Sequence, residues 1–318
     1  MHYSVIVNPV AGGGNAKTVW EQVAPLITNH GDTYTVTFTK RPGHATRLGA
    51  QLARQLRDQS GQAVLVVGGD GTFNQTLNGL MTNGIPEEER VPLAYIPSGS
   101  GNDFARGFGL SENPTKAMQQ VLSATHPTRV TIGEYNEAIK HEHRYFLNNV
   151  GIGFDAAIVS RTNASQSKKK LNRFKLGSFA YLANAISVLY NITSFPLSVD
   201  SGHFHDHYQN AMIVIASNHP YIGGGFKVAP EMSLFNDEVE LVVAERHNWV
   251  LTLWECLQLA RGKLSKSRFA HVYRGKRLHY STTSLEFGQY DGEEMGNRFV
   301  DLTISTDHYP FWADRHQE

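Results

Sequence analysis

Hydrophobic and polar positions alternate in two different ways along the chain, and the change falls near residue 130. In the first part, short apolar runs alternate with stretches that carry apolar residues at helical spacing. The run at residues 63–67 is uninterrupted, as is typical of a strand buried on both faces. The pattern predicts strands ending near 7 and at 34–39, 63–67 and 91–96, with helices from about 16, at 44–57 and at 72–81. Repeated strand–helix units predict an α/β domain whose doubly wound parallel sheet carries helices on both faces.

Strands dominate the second part of the sequence. Val239, Leu241 and Val243 alternate with their neighbours, as in a strand with one buried face. Strands are predicted at 144–150, 211–216 and 239–244 and near Phe269, Leu278, Leu285 and Val300, with helices at 176–190 and 249–262. This pattern predicts an antiparallel, β-rich, sandwich-like domain with a few helices. The predicted division is 1–125, 126–300 and a C-terminal segment, 301–318, that could return to the first domain.

The composition of the chain argues against several classes of protein. Lys and Arg together number 29, as do Asp and Glu, so general nucleic-acid binding is not expected. The single cysteine, Cys256, lies in an apolar helical pattern and is predicted to be a core residue. The N-terminus has no signal-peptide pattern, which predicts a cytoplasmic protein. The uncharged stretch 176–199 carries too many polar residues for a spanning helix and is predicted to be amphipathic.

Three glycine-rich turns follow predicted strands of the first domain. They span residues 8–15, 68–72 and 97–103. Turns after parallel strands gather at one edge of the sheet, and glycine lets the backbone approach a ligand there. The helices that follow present free N–H groups to an anion, so the edge is a candidate phosphate cradle. Asp70 and Asp103 could hold Mg²⁺ against polyphosphate, and Thr72 and Ser100 could donate hydrogen bonds. The alternative is three tight turns that need glycine only for geometry.

Three other motifs fit the glycine-rich loops less well. The first turn lacks the Gly-Lys-Ser/Thr ending of a Walker A loop, and residues 97–101 do not match a hydrolase elbow. Residues 151–156 match Gly-x-Gly-x-x-Ala, but basic residues stand where a dinucleotide fold would place an acid. A phosphate-binding edge in the first domain remains the favoured interpretation.

The turns and two later motifs, in this order, resemble the soluble bacterial diacylglycerol kinase-like lipid kinases. This resemblance covers essentially the whole chain. Its carriers are Asn8-Pro9 with Gly12-Gly13-Gly14, then Gly68-Gly-Asp-Gly-Thr-Phe-Asn74, Pro97-x-Gly-Ser-Gly-Asn-Asp-Phe-Ala-Arg106, Asn149-Val-Gly-Ile-Gly-Phe-Asp155 and Tyr290-Asp-Gly-Glu293. The same catalytic domain recurs in eukaryotic diacylglycerol, sphingosine and ceramide kinases, which implies phosphorylation of a lipid hydroxyl by ATP.

The resemblance also implies site residues. Asp70 and Asp103 would join a water and Mg²⁺ network at the phosphates, and Asp291 would accept the proton of the acceptor hydroxyl with Glu293 beside it. A structural Mg²⁺ would map to Asp237 with the backbone oxygens of Leu234 and Val239. ATP would lie between the domains against Asn8, Pro9, Val10, Ala11, Gly12, Thr39, Gly69, Asp70, Gly71, Thr72, Phe73, Asn74, Gln75 and Ser100. From the local pattern alone, Asp291 is equally well explained as an Asp-Gly β-turn.

Four positions depart from the family pattern. Ser100 stands where Thr is usual and keeps the hydroxyl, whereas Gln75 replaces a usual Glu and removes a charge near the nucleotide. Thr131 stands where many members have Asp, and Glu238 replaces a common Gly after Asp237. The last two substitutions weaken the expectation of a metal in the second domain.

Two charged segments suggest contacts outside the cleft. Residues 161–175 carry six basic side chains, which could dock the enzyme transiently on the inner face of the membrane or form a solvated loop. His203, His205 and His207 could align on one strand face as a metal site, although an exposed hairpin end is the favoured interpretation. The sequence carries no dimer signature, but a β-rich domain could form a homodimer through its edge strands.

These observations favour an ATP- and Mg²⁺-dependent lipid kinase, with diacylglycerol as the first acceptor to test. Phosphoryl transfer needs positioned phosphates, a cation and an acceptor hydroxyl held in line, and the two predicted domains could supply opposite walls of such a cleft. One alternative is phosphorylation of a soluble hydroxyl, as in NAD kinases. Another is a nucleotide- or lipid-binding regulator without catalysis, which the departures at Gln75 and Thr131 motivate.

Overall fold

The first part of the chain folds around a four-stranded parallel sheet in the order β2-β1-β3-β4. The computed structural model describes residues 1–82, 84–153, 193–202 and 204–315. The strands are β1 His2–Val7, β2 Thr33–Phe38, β3 Gln62–Gly68 and β4 Leu93–Pro97, and the helices are α1 Asn15–Asn29, α2 His44–Gln55, α3 Asp70–Met81, α4 Asp103–Phe108 and α5 Pro114–Ser123. The predicted doubly wound domain is therefore confirmed.

Apolar side chains on both sides of the sheet build the first core. Residues 63–67 are completely buried, as the uninterrupted run predicted, because α1 packs with α5 and α2 packs with α3 over the sheet. The helices α2 and α3 touch backbone to backbone, since a Cβ at Gly79 would lie only 2.1 Å from the Thr46 carbonyl oxygen. This packing holds the start of α3, and with it Asp70, at the carboxyl edge of the sheet.

The second part is an antiparallel β-rich domain, as predicted. Its elements are β5 Thr128–Glu137, β6 Glu142–Phe146, β7 Asn149–Gly153, β8 Phe195–Asp200, β9 His205–Ser217, β10 Tyr221–Ile222, β11 Phe226–Lys227, β12 Val239–Glu245, α6 Trp249–Ala260, β13 Ala270–Gly275, β14 Arg277–Thr282, β15 Glu286–Tyr290, β16 Glu293–Arg298 and β17 Asp301–Phe311. Two further apolar cores lie on opposite faces of its central strands.

The last strand, β17, connects the two halves of the fold. It pairs antiparallel with β5 over its whole length and with β14. Its final residue, Phe311, pairs parallel with Leu93 of β4, and the Trp312 N–H donates to the Leu93 carbonyl oxygen at 2.9 Å. These contacts are made at the first residue of β4, and they tie the edge strand of the parallel sheet to the β-rich domain.

Several predicted elements need correction. The single strand predicted at 144–150 is two strands, β6 and β7, and the break at residues 147–148 turns their N–H groups toward Asp291. Strand β12 is buried on both faces, because Leu241 faces one core while Val242 faces the other. Strand β16 was missed because its polar, glycine-containing sequence lacks a strand pattern. The helix predicted at 176–190 lies outside the described residues.

Helix α6 is also arranged differently from the prediction. Cys256 is only half-buried, and several apolar side chains of this helix face outward instead of into a core. No helix in the described part of the chain combines the length and apolar character needed to cross a bilayer.

Candidate active site

The three glycine turns meet at the carboxyl edge of the parallel sheet. A Cβ at Gly12, which has a φ of +59°, would lie 2.2 Å from the Ser98 carbonyl oxygen, and one at Gly99 would lie 2.6 Å from the Gly69 Cα. The Asn8 side-chain amide also donates to the Thr72 hydroxyl at 2.8 Å. The turns therefore contact one another at positions where only glycine fits, which makes them one connected surface.

A cavity of about 520 Å³ opens beside this surface. Nine residues of the predicted ATP site line it: Asn8, Val10, Ala11, Gly12, Thr39, Gly69, Gly71, Thr72 and Gln75. The lining also includes residues that sequence reasoning missed: Lys40, Arg41, Pro42, Ala45 and Gly99. The signal for Lys40 and Arg41 was present, since two basic residues directly follow β2 at the edge where phosphates were expected. They give the cavity the positive charge that the glycine turns lack.

Five other predicted residues do not line the cavity. Phe73 is a core residue whose ring stacks on Tyr95 with 4.4 Å between centroids, and Asn74 points toward the β-rich domain. Pro9 is half-buried next to the cavity, and Ser100 is exposed. Asp70 lies behind the lining, between the second and third turns.

Asp70 and Asp103 form a buried pair of acids, and they differ in how many hydrogen bonds their carboxyl oxygens accept. Both oxygens of Asp103 accept hydrogen bonds, one from Arg106 Nη1 at 2.8 Å and one from the Gly224 N–H at 2.8 Å. Asp70 Oδ2 accepts from the Asp103 N–H at 3.2 Å, whereas Asp70 Oδ1 is buried and has no partner among the described residues. Burial, followed by the charge of Asp103, raises the pKa of Asp70 to about 6. Asp70 thus keeps one free oxygen for a donor.

Asp291 is held by many donors at the turn between β15 and β16. Its Oδ1 accepts from the N–H groups of Asn148 and Asn149 at 2.8 and 3.0 Å. Its Oδ2 accepts from the Leu147 N–H and from the Asn74 side chain, each at 2.7 Å. Burial raises the pKa of Asp291 to about 7, although the three backbone N–H groups act in the opposite direction. Both carboxyl oxygens are therefore already fully used within the protein.

Helix α3 contacts this turn directly, which joins the two domains beside the cavity that Gln75 lines. Besides the bond from Asn74 to Asp291, the Gln75 side-chain amide donates to Glu293 Oε1 at 2.9 Å. The Tyr290 hydroxyl donates to the other Glu293 oxygen at 2.9 Å. The structure thus explains why Gln75 suits this chain: a Glu at that position would place a second carboxylate against Glu293.

The hydrogen bond between Gln75 and Glu293 can be tested by exchanging the two side chains. We expect Gln75→Glu to lower the free energy of unfolding at pH 8 by about 1–2 kcal/mol, because two carboxylates would meet in a partly buried place. Chemical denaturation at pH 8 measures the loss. Adding Glu293→Gln should restore stability, since the amide and the carboxylate then merely exchange positions. A double variant no more stable than Gln75→Glu would contradict the assigned contact.

The residues predicted to hold a structural metal do not fit a cation in this structure. Lys276 Nζ contacts Asp237 Oδ2, and His308 Nε2 lies 3.1 Å from Asp237 Oδ1. The Lys276 contact lowers the pKa of Asp237. The Leu234 carbonyl already accepts from the Thr131 N–H at 2.7 Å. Val239 belongs to β12 and pairs with Gly275.

Side chains of the protein thus occupy the place of a cation at Asp237. The Thr131 hydroxyl adds a bond to the Asn236 carbonyl at 2.7 Å, so the Thr that replaces the usual Asp ties down the same loop. We expect Tm without nucleotide to be the same in EDTA and in excess Mg²⁺. Differential scanning fluorimetry measures this directly. A clear rise of Tm with Mg²⁺ that disappears in Asp237→Asn would show that a cation does bind there.

The other candidate metal group, His203, His205 and His207, lies only partly within the described residues. His205 Nδ1 lies 3.4 Å from Asp200, and His207 Nδ1 pairs with the Ser198 hydroxyl at 2.9 Å, while His203 lies outside the described residues. No group of three metal-binding His, Cys, Asp or Glu side chains occurs within the part of the chain that the structure describes. The basic segment 161–175 also lies outside it.

Comparison with known proteins agrees with this architecture. Residues 2–135 match the diacylglycerol kinase catalytic domain, and residues 148–307 match the YegS C-terminal NAD kinase beta sandwich-like domain. The candidate lipid kinase YtlR of Bacillus subtilis (strain 168) is 26% identical over 298 residues, which cover 93% of this chain and 94% of that protein. A candidate lipid kinase of Staphylococcus carnosus (strain TM300) is 26% identical over 241 residues, 76% of this chain and 73% of that protein.

Solved structures show the same fold. The crystal structure of a candidate diacylglycerol kinase from Bacillus anthracis str. Sterne superimposes with a TM-score of 0.74 and 24% sequence identity. The superposition covers 98% of this chain and 97% of that structure.

Proposed function

The chain belongs to the family of diacylglycerol kinase-like lipid kinases, since family models match both of its halves, and on this premise we propose that it transfers the γ-phosphoryl group of ATP to a lipid hydroxyl. Diacylglycerol is the first acceptor that we propose. The observation that carries the proposal is the free, buried oxygen of Asp70 behind the lining of a cavity formed by the glycine turns, one of whose lining residues, Gln75, contacts the second domain. A kinase needs this combination of phosphate cradle and acid.

The cavity suits the nucleotide. Its glycine turns allow phosphate oxygens to approach backbone N–H groups, and Lys40 and Arg41 at its rim offset their negative charge. The carboxylates of Asp70 and Asp103 are hard oxygen donors, and the unpartnered Asp70 Oδ1 fits a water of a hydrated Mg²⁺ or a substrate hydroxyl. When bound at the phosphates, Mg²⁺ would neutralise the charge that develops during transfer.

The free oxygen favours Asp70 over Asp291 as the proton acceptor. In the proposed step, the acceptor oxygen forms a bond to the γ-phosphorus, its proton passes to Asp70 Oδ1, and the bond to the β-phosphate oxygen breaks with its electron pair leaving on ADP. Asp291 could accept a proton only after losing one of its four hydrogen bonds. We therefore propose that Asp291 positions Asn74 and the break between β6 and β7, and that Glu293 positions α3 through Gln75.

The proposal predicts a pH dependence. Since a proton acceptor must be ionised, kcat/KM for the lipid should rise with pH through the Asp70 pKa of about 6 and level off above it. Initial rates between pH 5 and 8.5 at saturating ATP and Mg²⁺ measure the profile. A kcat/KM that is constant from pH 5 to 8 would show that the rate-limiting step does not depend on ionisation of a buried acid such as Asp70.

The class of acceptor separates this proposal from its alternative. A soluble acceptor, as in NAD kinases, is favoured by one observation, the match of the second half to an NAD kinase beta sandwich-like domain. Transfer from γ-labelled ATP is tested with diacylglycerol, sphingosine, ceramide and undecaprenol in mixed micelles, and with NAD in solution. Labelled lipid without labelled NADP supports the lipid kinase, and the reverse result would replace it. ATP binding without transfer to any of these acceptors would support the second alternative, a protein without catalysis.

A further inference from the structure

Helix α6 presents an apolar side to the outside of the molecule. Trp249 is 77% exposed, and the other apolar residues on the same side of the helix are 40–55% exposed. These residues are Trp249, Val250, Leu253, Trp254 and Leu257, here called the α6 surface. At 100° per residue they occupy one continuous side of the helix, with no polar side chain among them. Contiguous exposed apolar area of this kind marks an interaction site.

The opposite side of the same helix buries two polar side chains, next to Cys256 and Leu259, which pack against a core. Thr252 is 3% exposed and Glu255 is completely buried, with both carboxyl oxygens lacking a partner among the described residues. A helix that only covers a core in water would be turned the other way, with Glu255 outside and the tryptophans inside. The fold instead keeps the only acid of α6 away from the exposed side, which indicates that the exposed side meets an apolar and not an aqueous partner.

Basic residues flank the α6 surface at both ends. Residues 246–268 contain five Lys and Arg residues and a single acidic residue, the inward-facing Glu255. The basic side chains are all exposed: Arg246, Arg261, Lys263, Lys266 and Arg268. Lys266 also approaches Glu231 at 3.5 Å. An apolar surface with two tryptophans and a basic border is complementary to a bilayer that carries anionic headgroups.

The α6 surface is connected to the catalytic cleft. Helix α6 packs against β11, and Lys227 of β11 lies over the Tyr221 ring, 5.6 Å from its centroid. Arg106, the partner of Asp103, lies over the same ring at 5.6 Å. The loop between β10 and β11 also donates the Gly224 N–H to Asp103. A bilayer under α6 would therefore adjoin the wall of the cleft that holds the acid pair.

We propose that α6 docks this protein on an anionic lipid bilayer, lying in the interface with Trp249 and Trp254 among the headgroups and acyl-chain ends. Twelve residues at 1.5 Å per residue give a length of about 18 Å, so the helix lies on the bilayer and does not span it. The proposal rests on the proposed function only in that the acceptor is a lipid. It assigns the membrane contact to α6, separately from the basic segment 161–175.

Vesicle sedimentation tests the docking without any catalysis. The full chain is mixed with vesicles of phosphatidylcholine alone or with 30% phosphatidylglycerol, a composition chosen as roughly that of a moderately anionic leaflet. We expect binding to the anionic vesicles, and we expect Leu253→Asp/Leu257→Asp to weaken it at least about tenfold. Ile139→Asp, an exposed apolar residue in the turn between β5 and β6, is the matched control and should bind like wild type. Equal binding of the double variant and wild type would overturn the proposal.

A charge variant and tryptophan fluorescence test the docking even if the double variant Leu253→Asp/Leu257→Asp does not fold. Arg261→Gln/Lys263→Gln keeps the apolar side of α6 and should weaken vesicle binding about fivefold per charge removed. This difference from wild type should disappear at high salt.

Tryptophan fluorescence reports on the α6 surface. Of the four tryptophans, Trp20 and Trp312 are buried, so changes in emission on vesicle binding are expected from Trp249 and Trp254. Their emission should shift to the blue with anionic vesicles and should be quenched by acrylamide without vesicles. Protection from acrylamide in the free protein, by another part of the chain or by a second copy, would overturn the proposal.

Activity separates this inference from the proposed function. On a water-soluble short-chain diacylglycerol without vesicles, Leu253→Asp/Leu257→Asp should retain wild-type turnover, and on vesicle-borne diacylglycerol it should be at least about tenfold slower. Equal rates of variant and wild type on vesicles would overturn docking through α6 while leaving the kinase in place. Vesicle binding by a wild-type protein that phosphorylates no lipid would overturn the kinase and leave the docking surface standing.

Discussion

Asp70→Asn is expected to lower kcat for lipid phosphorylation by at least about a thousandfold while leaving the fold as stable as wild type or more stable. The amide can still accept the Asp103 N–H but cannot take a proton from the acceptor. Because burial raises the pKa of Asp70 to about 6, the folded protein binds more protons than the unfolded chain between about pH 4 and 6. The contribution of Asp70 to the free energy of unfolding therefore falls as pH rises through that window, by on the order of 3 kcal/mol.

The matched comparison uses unfolding and kinetics on the same preparations. The neutral amide relieves the cost of the buried charge, so Asp70→Asn should be the more stable protein at pH 8 and should equal wild type near pH 4 in urea unfolding. Asp58→Asn is the control, since Asp58 is exposed and its φ of +55° suits an Asn side chain. Turnover of Asp70→Asn within tenfold of wild type would remove Asp70 as the proton acceptor.

Asp291→Ala is expected to lose activity together with stability. The change leaves the buried N–H groups of Leu147, Asn148 and Asn149 and the Asn74 amide without their acceptor. Each such orphaned donor costs roughly 1–3 kcal/mol, partly offset by removal of a buried carboxyl, so we expect a net loss on the order of 2–4 kcal/mol. Helix α3 would also lose one of its bonds to the β-rich domain, the one from Asn74, which should raise KM for both substrates.

Urea unfolding beside steady-state kinetics distinguishes positioning from catalysis at Asp291. Exposed Asp314→Ala, the same chemical change at the surface, should leave both quantities unchanged. An Asp291→Ala protein with wild-type stability and a kcat lowered a thousandfold would contradict a positioning role and favour Asp291 as the proton acceptor. For this reason, loss of activity in Asp291→Ala alone identifies no base.

The parts of the site that were predictable from sequence depend on neighbours in the chain. A buried strand, a glycine turn and a helix follow one another within about ten residues around Gly68 to Thr72, so the cradle at the sheet edge could be inferred from parallel topology. The same argument could have predicted Lys40 and Arg41 as residues of the site, because this basic pair also follows a strand of that sheet.

The contacts that were not predictable join distant segments. The donors that saturate Asp291 come from residues more than 140 positions earlier, exposed by a break that an apolar run did not reveal. In the sequence, the departure at Gln75 is simply a lost charge, and only the fold brings Glu293 opposite it. Similarly, the apolar helical pattern around Cys256 predicted the helix, but periodicity does not say which apolar residues face a core and which face the outside.

The central claim is transfer of phosphate from ATP to a lipid in the cleft that contains Asp70. The most direct measurement is incorporation of label from γ-labelled ATP into diacylglycerol in mixed micelles, with Mg²⁺, for wild type and Asp70→Asn in parallel. We predict labelled phosphatidate from wild type and at least about a thousandfold less from the folded variant. A folded wild-type protein that binds ATP and labels no lipid, or a variant that labels diacylglycerol at the wild-type rate, would contradict the claim.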